Sequence, residues 1–390
     1  MTHTPIRAKI LLFANTDWYL YNFRRSLAMA LRDKGYEVLL TSPPGAYGEK
    51  IRNLGFRWYP APMNRRSLNP LRESSLINWL RKLIIAEKVD LVHSFTIKCS
   101  IYGSVAARLA PTTPATINAV AGLGYVFTNN SIKARTLRPL VRKLMQKALS
   151  GPNSRLVLQN QDDVTLFLQQ RLAEKESIRL IRGSGVNCEA FSPSLDTALQ
   201  SNDSTTKVLL PARLLWDKGV GEFVDAARKL KTKGCQIAFL LAGEPDPGNP
   251  AAIPTATIRA WETENLVTWL GHVDDMHTLF RKVDIVALPS YREGLPKGLI
   301  EAAACGKPLI TTDVPGCREV VTNKEDGLLI PVRDSQALSE AICRLHKNPE
   351  LRRQLGKKAR EKALSSFDEL IVIERTLDVY DELISRPNRF

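Results

Sequence analysis

The stretch Ser290-Tyr-Arg-Glu293-Gly294-Leu295-Pro296-Lys297-Gly-Leu-Ile-Glu301 carries two carboxylates eight positions apart. Glu293 stands in a Gly- and Pro-punctuated turn after the apolar run Val283–Leu288, and Glu301 in the alanine-rich segment that follows. The fixed φ of Pro296 suits the first turn of a helix, so a helix is expected to open there. At about 1.5 Å of rise per residue, Glu301 then sits roughly one and a half turns in. Two acids near one helix N-terminus can bond the two ends of a polyhydroxylated ligand, while the exposed N–H groups hold an anion between them. Hydroxyls, diphosphate, hydroxyls is the layout of a sugar nucleotide. The same spacing also suits an ordinary strand–loop–helix whose acids are solvated.

A cationic pair precedes it. Arg213 and Lys218 lie five apart, directly after the apolar Val208–Leu210 and before a helix opening near Gly219. A guanidinium can fork onto diphosphate oxygens and an ammonium adds a compact second charge. Cations held where a nucleoside diphosphate departs lower the barrier directly. Surface charges flanking a helix start would read the same way. In the front half, His93 and Lys98 follow a strand. Lys98 offers an ammonium to an acceptor phosphate, and His93 is either a ligand contact or a buried histidine at a strand end. No Asp-x-Asp occurs, the five histidines lack metal-ligand spacing and the six cysteines form no Cys-x-x-Cys pair. No metal and no cofactor are therefore expected.

These residues need a scaffold, and the pattern supplies one. Apolar runs at Lys9–Phe13, Tyr36–Leu40, Val89–His93, Thr113–Asn118, Arg155–Gln159 and Ser177–Ile181 are separated by helix-length segments. A polar, aperiodic stretch over 194–206 follows. A second series then runs through Lys207–Pro211, Gln236–Ala242, Leu266–Leu270, Val283–Leu288, Pro308–Thr311 and Gly327–Ile330. Alternation of this kind means βαβ units with mostly parallel sheets. The fold class is α/β, two doubly wound Rossmann-like domains facing a cleft, with ligands outside the carboxyl ends of the strands. Gly183-Ser-Gly185 reads as an interdomain hinge or a weak phosphate loop, and Ser335–His346, Glu350–Leu364 and Asp368–Ile384 as closing helices.

Composition narrows the class further. A chain of 390 residues is long enough for two or three domains with their own cores. It has no apolar run of transmembrane length and no signal-peptide architecture at Met1, and its cysteines are scattered singly, as in a reducing cytoplasm. Residues 1–190 hold 28 Lys and Arg against 12 Asp and Glu, a net of +16, whereas residues 191–390 hold 27 against 28, a net of −1. The basic half points to an anionic partner (nucleic acid, lipid headgroups or a diphosphate substrate), or serves solubility alone. No nucleic-acid module is recognisable, and no nucleic acid is expected. Lys133, Arg135, Arg138, Arg142, Lys143 and Lys147 alternate with Leu and Val in helical spacing. Such a helix can rest on an anionic membrane, each cation contributing about 1 kcal/mol, or it can be a core-facing helix with a solvated basic face.

The Glu-x7-Glu segment, Ala212-Arg213-Leu-Leu-Trp-Asp-Lys218-Gly219, Leu240-Leu-Ala-Gly243-Glu244, Trp269-Leu-Gly271-His272-Val273, Asp284–Ser290 and Thr312–Glu319 come in a characteristic order across roughly 207–335. Together they resemble the family 4 retaining glycosyltransferases of the GT-B fold. The resemblance implies an acceptor-binding domain over 1–190, a sugar-nucleotide domain over 191–366 and a helix over 367–390 crossing back to the first. It further implies donor contacts at Gly243, Gly271, His272 and Val273, with the base at the last three. Glu301 would bond the ribose and Glu293 a sugar hydroxyl. The backbone from Gly294 through Leu295, Pro296 and Lys297 would meet the phosphates or the sugar, and His93 the donor sugar. Arg213 and Lys218 would replace a metal, and configuration would be retained through a short-lived ion pair. Two departures stand out: Phe95 replaces the second histidine of a His-x-His, and Ala14-Asn15 replaces a glycine pair after the first strand.

Met63-Asn-Arg65-Arg66 and the apolar loop Ala121-Gly122-Leu-Gly124 resemble a narrower subset that extends saccharides on undecaprenyl diphosphate. There, the arginines suit a diphosphate and the loop a polyprenyl chain. The expectation is a peripheral enzyme at the cytoplasmic face of the membrane. It would move an N-acetylhexosamine from a UDP-sugar to a polyprenyl-diphosphate-linked saccharide. A transferase with a soluble or other lipid acceptor, a nucleotide-sugar epimerase and a basic nucleic-acid-binding protein are the rivals.

Overall fold

The apolar run Lys9–Phe13 becomes the first strand of a computed structural model that describes residues 7–65, 67, 69–120, 132–193 and 205–384. The chain divides into two units, Met1–Ser184 with Val372–Phe390, and Gly185–Ile371. In the first, strands β1 (Lys9–Phe13), β2 (Glu37–Ser42), β3 (Arg57–Pro60), β4 (Leu91–Phe95), β5 (Ala115–Val120), β6 (Ser154–Leu158) and β7 (Ile178–Leu180) form one sheet in the order β3-β2-β1-β4-β5-β6-β7. In the second, β8 (Thr206–Pro211), β9 (Ile237–Ala242), β10 (Thr268–Trp269), β11 (Ile285–Leu288), β12 (Leu309–Thr312) and β13 (Gly327–Ile330) are ordered β10-β9-β8-β11-β12-β13. Every pairing is parallel.

The strands read as unbroken apolar runs because both faces of each sheet are covered by helices. Side chains alternate between the faces. In β1, Ile10 and Leu12 join one buried cluster and Leu11 and Phe13 another. In β8, Val208 and Leu210 pack on one side and Leu209 on the other. Leu27, Ala28 and Leu31 of the helix Arg25–Asp33 cover one face of the first sheet, and Leu76, Leu80 and Ile84 of the helix Pro70–Glu87 the other. The last helix, Glu369–Ile384, adds Val372, Val379, Tyr380 and Leu383 to the first unit's core. Each unit is a doubly wound parallel α/β sheet, as the alternation of strands and helices predicts.

Sequence reading passes over β3. Arg57-Trp-Tyr-Pro60 is short, carries a charge at one end and a proline at the other, and is mostly exposed outside Trp58. Such a strand is tolerated only at a sheet edge, which is where β3 lies.

Candidate functional site

In a doubly wound sheet the crevice opens where the strand order reverses, here between β8 and β11 in the second unit and β1 and β4 in the first. The loops that follow β8 and β11 therefore leave neighbouring strands side by side. After β8 the chain makes one tight turn, Trp216–Lys218, and enters the helix Val220–Thr232 through Gly219. Gly219 has φ of +72°, and a Cβ there would lie 2.1 Å from the carbonyl oxygen of Pro289 at the end of β11. Only glycine lets the two loops approach this closely. Their nearness brings the Lys218 ammonium onto the Glu293 carboxylate, in side chains 19% and 11% exposed.

The Glu293 loop is fastened on several sides. The Ser290 hydroxyl donates to the Asp217 carbonyl at 3.1 Å, and the Tyr291 N–H donates to the same carbonyl at 2.9 Å. The Tyr291 hydroxyl donates to Glu222 Oε1 at 2.7 Å, while burial and that carboxylate push the phenol up to about 12. Thr312 Oγ1 donates to the Ser290 carbonyl. Gly316, at φ of +80°, would bring a Cβ to 2.4 Å from the Gly294 oxygen. The loop ends at Pro296, which occupies the cap position of the helix Lys297–Ala304, so the helix opens one residue later than its sequence suggests. Glu301 lies on that helix, 3.6 Å from Lys297 Nζ, with 13% of its side chain exposed. Burial raises its carboxyl above the ordinary range, and the Lys297 ammonium pulls the other way.

Arg213 is held differently. Its guanidinium is more than half exposed and donates to Asp246 Oδ2 at 2.7 Å from the loop after β9. Nearby, the Gly243 N–H donates to the Gly271 carbonyl at 2.7 Å, and Trp269 Nε1 donates to the Gly243 carbonyl at 2.8 Å. These bonds join the ends of β9 and β10. A Cβ on Gly243 would lie 2.0 Å from the Ala212 oxygen, whereas the space beside Gly271 is open. The exposed His272 sits 3.2 Å from Asp274 Oδ1, and Val273 and Leu295 pack against the core. The structure thus gathers Lys218, Gly219, Glu293 and Gly294 around the ends of β8 and β11. Among the described residues, no cluster of three His, Cys, Asp or Glu side chains could hold a metal ion.

In the first unit, His93 on β4 is buried, with Nδ1 2.7 Å from the Tyr380 hydroxyl and Nε2 without a partner among the described residues. Its ring lies 4.2 Å from that of Phe95, and the Arg24 guanidinium sits 4.3 Å over Phe95. Burial first, and Arg24 second, hold the imidazole well below its usual value, so it is neutral at pH 7. The structure places His93, for which the sequence offered two readings, at a buried strand end. Lys98 does not present a free ammonium. It donates to the Asn64 and Ser67 carbonyls at 2.9 and 2.8 Å and to Glu73 Oε1 at 3.0 Å, which uses all three donors. Arg65 is exposed on the loop that Lys98 fastens. Arg66, Gly122 and Gly124 lie outside the described residues.

Sequence reasoning missed Asp246, Glu222 and Asp17. Asp17 is buried and accepts N–H bonds from Trp18 at 2.8 Å, Tyr47 at 2.7 Å and Gly48 at 2.9 Å, closing the glycine-free first loop onto the segment after β2. An acid in the first turn of a helix, directly after the Thr16 cap, was the available signal.

Residues 193–362 match the family model described as glycosyl transferases group 1, and residues 9–161 that described as glycosyl transferase 4-like. The N,N'-diacetylbacillosaminyl-diphospho-undecaprenol alpha-1,3-N-acetylgalactosaminyltransferase of Campylobacter jejuni is 31% identical over 94% of this chain and 96% of its own length. The UDP-Gal:alpha-D-GlcNAc-diphosphoundecaprenol alpha-1,3-galactosyltransferase of Escherichia coli is 25% identical over 84% of each. Among solved structures, the Anabaena protein HepE in complex with UDP and glucose superimposes with a TM-score of 0.78 at 19% identity, over 96% of this chain and 99% of that one. WaaG, a glycosyltransferase involved in lipopolysaccharide biosynthesis, does so with a TM-score of 0.69 over 95% and 98%.

Proposed function

We propose that this chain, which belongs to the group 1 family of glycosyl transferases and is a glycosyltransferase, moves an N-acetylhexosaminyl group from a UDP-sugar to a saccharide carried on polyprenyl diphosphate. The observation that carries the chemistry is the Lys218–Glu293 pair at the ends of adjacent strands β8 and β11. The donor class is supported by the names of the relatives, among them one that uses UDP-galactose, and the acceptor class by two relatives named for diphospho-undecaprenol saccharides.

The donor diphosphate lies between the Lys218 ammonium and the N-terminus of the helix Lys297–Ala304, with Arg213 as the second cation. As the bond from the sugar's anomeric carbon to the phosphate oxygen breaks, negative charge grows on that oxygen. Preorganised cations stabilise it more than they stabilise the bound donor. The acceptor hydroxyl then bonds to the anomeric carbon from the face the phosphate has left, and the departing phosphate oxygen takes its proton. Glu293 orients a sugar hydroxyl and Glu301 the ribose. The reaction in this reading needs no metal.

The acceptor's lipid places the enzyme at a membrane surface. No helix among the described residues is long and apolar enough to cross a bilayer. The helix Ile132–Leu149 instead exposes Leu140 and Leu144, 57% and 39% accessible, beside exposed Arg142, Lys143 and Lys147. Paired leucines and cations suit the interface of an anionic membrane. UDP release, measured for a panel of UDP-sugars with polyprenyl-diphosphate saccharides and with the matching free saccharides, tests the reading. Turnover should require the lipid-linked acceptor, and equal turnover on free saccharides would overturn it.

A further inference from the structure

The loop after β9 reads Glu244-Pro245-Asp246-Pro247-Gly-Asn249-Pro250. Proline fixes its own φ, and the residue before a proline is driven to extended backbone. Glu244, Asp246 and Asn249 each precede one, so little freedom is left along this arm. Backbone bonds then lash it to the segment that carries Arg213. The Leu214 N–H donates to the Glu244 carbonyl at 2.9 Å, the Trp216 N–H to the Ala251 carbonyl at 2.8 Å and the Ile253 N–H to the Leu214 carbonyl at 3.0 Å. Asn249 turns the arm, its N–H donating to the Asp246 carbonyl at 3.0 Å and its Oδ1 accepting from the Ala251 N–H at 3.0 Å. A fixed acid thus stands opposite a long, solvated cation: the Asp246 side chain is 17% exposed and that of Arg213 58%.

The bond between them uses one corner of the guanidinium. Arg213 donates through Nη1 to Asp246 Oδ2 at 2.7 Å, and its side chain makes no other hydrogen bond or ion pair among the described residues. The Nε and Nη2 N–H groups, which run parallel and form the fork that fits two oxygens of a phosphate, are left open. An acid that competed with an anion for this arginine would cover the fork, whereas Asp246 leaves it clear. An untethered arginine samples many rotamers and loses that freedom on binding. Tethered at Nη1, Arg213 has given up much of it beforehand.

We propose that Asp246 is a positioning residue for the donor's diphosphate: by holding Nη1 it presents the Nε–Nη2 edge of Arg213, already oriented, to two phosphoryl oxygens. The assignment rests on the function proposed above, which puts Arg213 beside that diphosphate. The test is calorimetry on the full chain with UDP and with uridine, followed by transfer assays. Asp246→Ala should weaken UDP severalfold and leave uridine unchanged, because only the phosphates meet Arg213. Turnover should fall about tenfold or more, since a misplaced group costs up to about a hundredfold. Asp246→Asn, which keeps an oxygen for Nη1, should recover part of both losses. In an Arg213→Ala background Asp246→Ala should cost nothing further, the non-additivity expected of two residues acting as one unit. A thermal melt checks that each variant keeps its fold.

The assignment is overturned if Asp246→Ala binds UDP as tightly as the wild type, or more tightly, which would make the acid a bystander or a rival of the diphosphate. It is overturned too if uridine weakens in step with UDP, or if the loss persists undiminished in Arg213→Ala, both marks of an arm that merely folds differently. The underlying reading fails by a separate sign: Arg213→Ala alone would bind UDP and transfer normally, and the positioning role would fall with it.

Discussion

Replacing Lys218 by methionine tests the catalytic reading most directly, because it separates a proposed role from an observed one. In the proposed reaction its ammonium stands where the leaving diphosphate gains charge, and in the structure it neutralises Glu293, whose side chain is only 11% exposed. Loss of one preorganised charge-stabilising group costs about 2.7–4 kcal/mol at the transition state. At about 1.4 kcal/mol per tenfold, that is a drop of about 100- to 1000-fold in kcat. The second effect is local. Stripping one partner from a buried pair costs up to about 3–5 kcal/mol, and the residual exposure here brings that down, so the melting temperature should fall by a few degrees without loss of the fold. Lys218→Met/Glu293→Gln should recover the stability and none of the activity. The assay is single-turnover UDP release alongside a thermal melt by circular dichroism. A Lys218→Met enzyme that keeps its fold and stays within about threefold of wild-type kcat would refute the charge argument. Arg213 gives the contrast: it is exposed on Asp246, and exposed pairs contribute about 0–1 kcal/mol. Arg213→Ala should therefore lose comparable activity with no loss of stability, and Arg213→Lys should rescue poorly because a point charge cannot reproduce the fork.

The two carboxylates should separate in calorimetry with UDP: Glu301→Gln weakens UDP binding, Glu293→Gln leaves it nearly intact while depressing transfer, and the reverse pattern exchanges their roles. Burial depresses the folded-state value of His93, so its stabilising contribution is present above the unfolded value near 6.5 and is lost as pH falls below it. Urea unfolding of the wild type should lose up to about 1.4 kcal/mol per pH unit there from this group, and His93→Asn should flatten that part of the profile; an unchanged profile would mean the imidazole titrates freely in the fold. Glutamine at Arg138, Arg142, Lys143 and Lys147 should remove about 3–4 kcal/mol of attraction to anionic vesicles, about a hundredfold or more in partitioning. Sedimentation with vesicles reads this out, and wild-type indifference to them at low salt would point to a soluble acceptor. Activity should also persist in EDTA, and a strict divalent-metal requirement would displace Arg213 and Lys218 from the role assigned to them.

The alternation of strands and helices was legible residue by residue, since a parallel strand covered on both faces must be apolar throughout. Lys9–Phe13 and Gly327–Ile330 fall where the pattern puts them. The chemistry-bearing types, Glu293, Glu301, Arg213 and Lys218, were legible too, because their spacing around a strand end and a helix start is a local property. Which of them touch was not. Lys218 and Glu293 are 75 positions apart and meet only because the sheet order sets β8 beside β11. The same holds for Arg213 with Asp246 and Tyr291 with Glu222. For Lys98, sequence supplied a cation beside a predicted strand, and tertiary structure spent its three hydrogen bonds on the loop and helix opposite. His93 became a buried neutral base because a helix from the far end of the chain lays Tyr380 against it. Local pattern determines what a segment can form and which groups it carries. Partners, burial and charge state depend on contacts between distant segments, which arise only once the sheets have chosen their strand order.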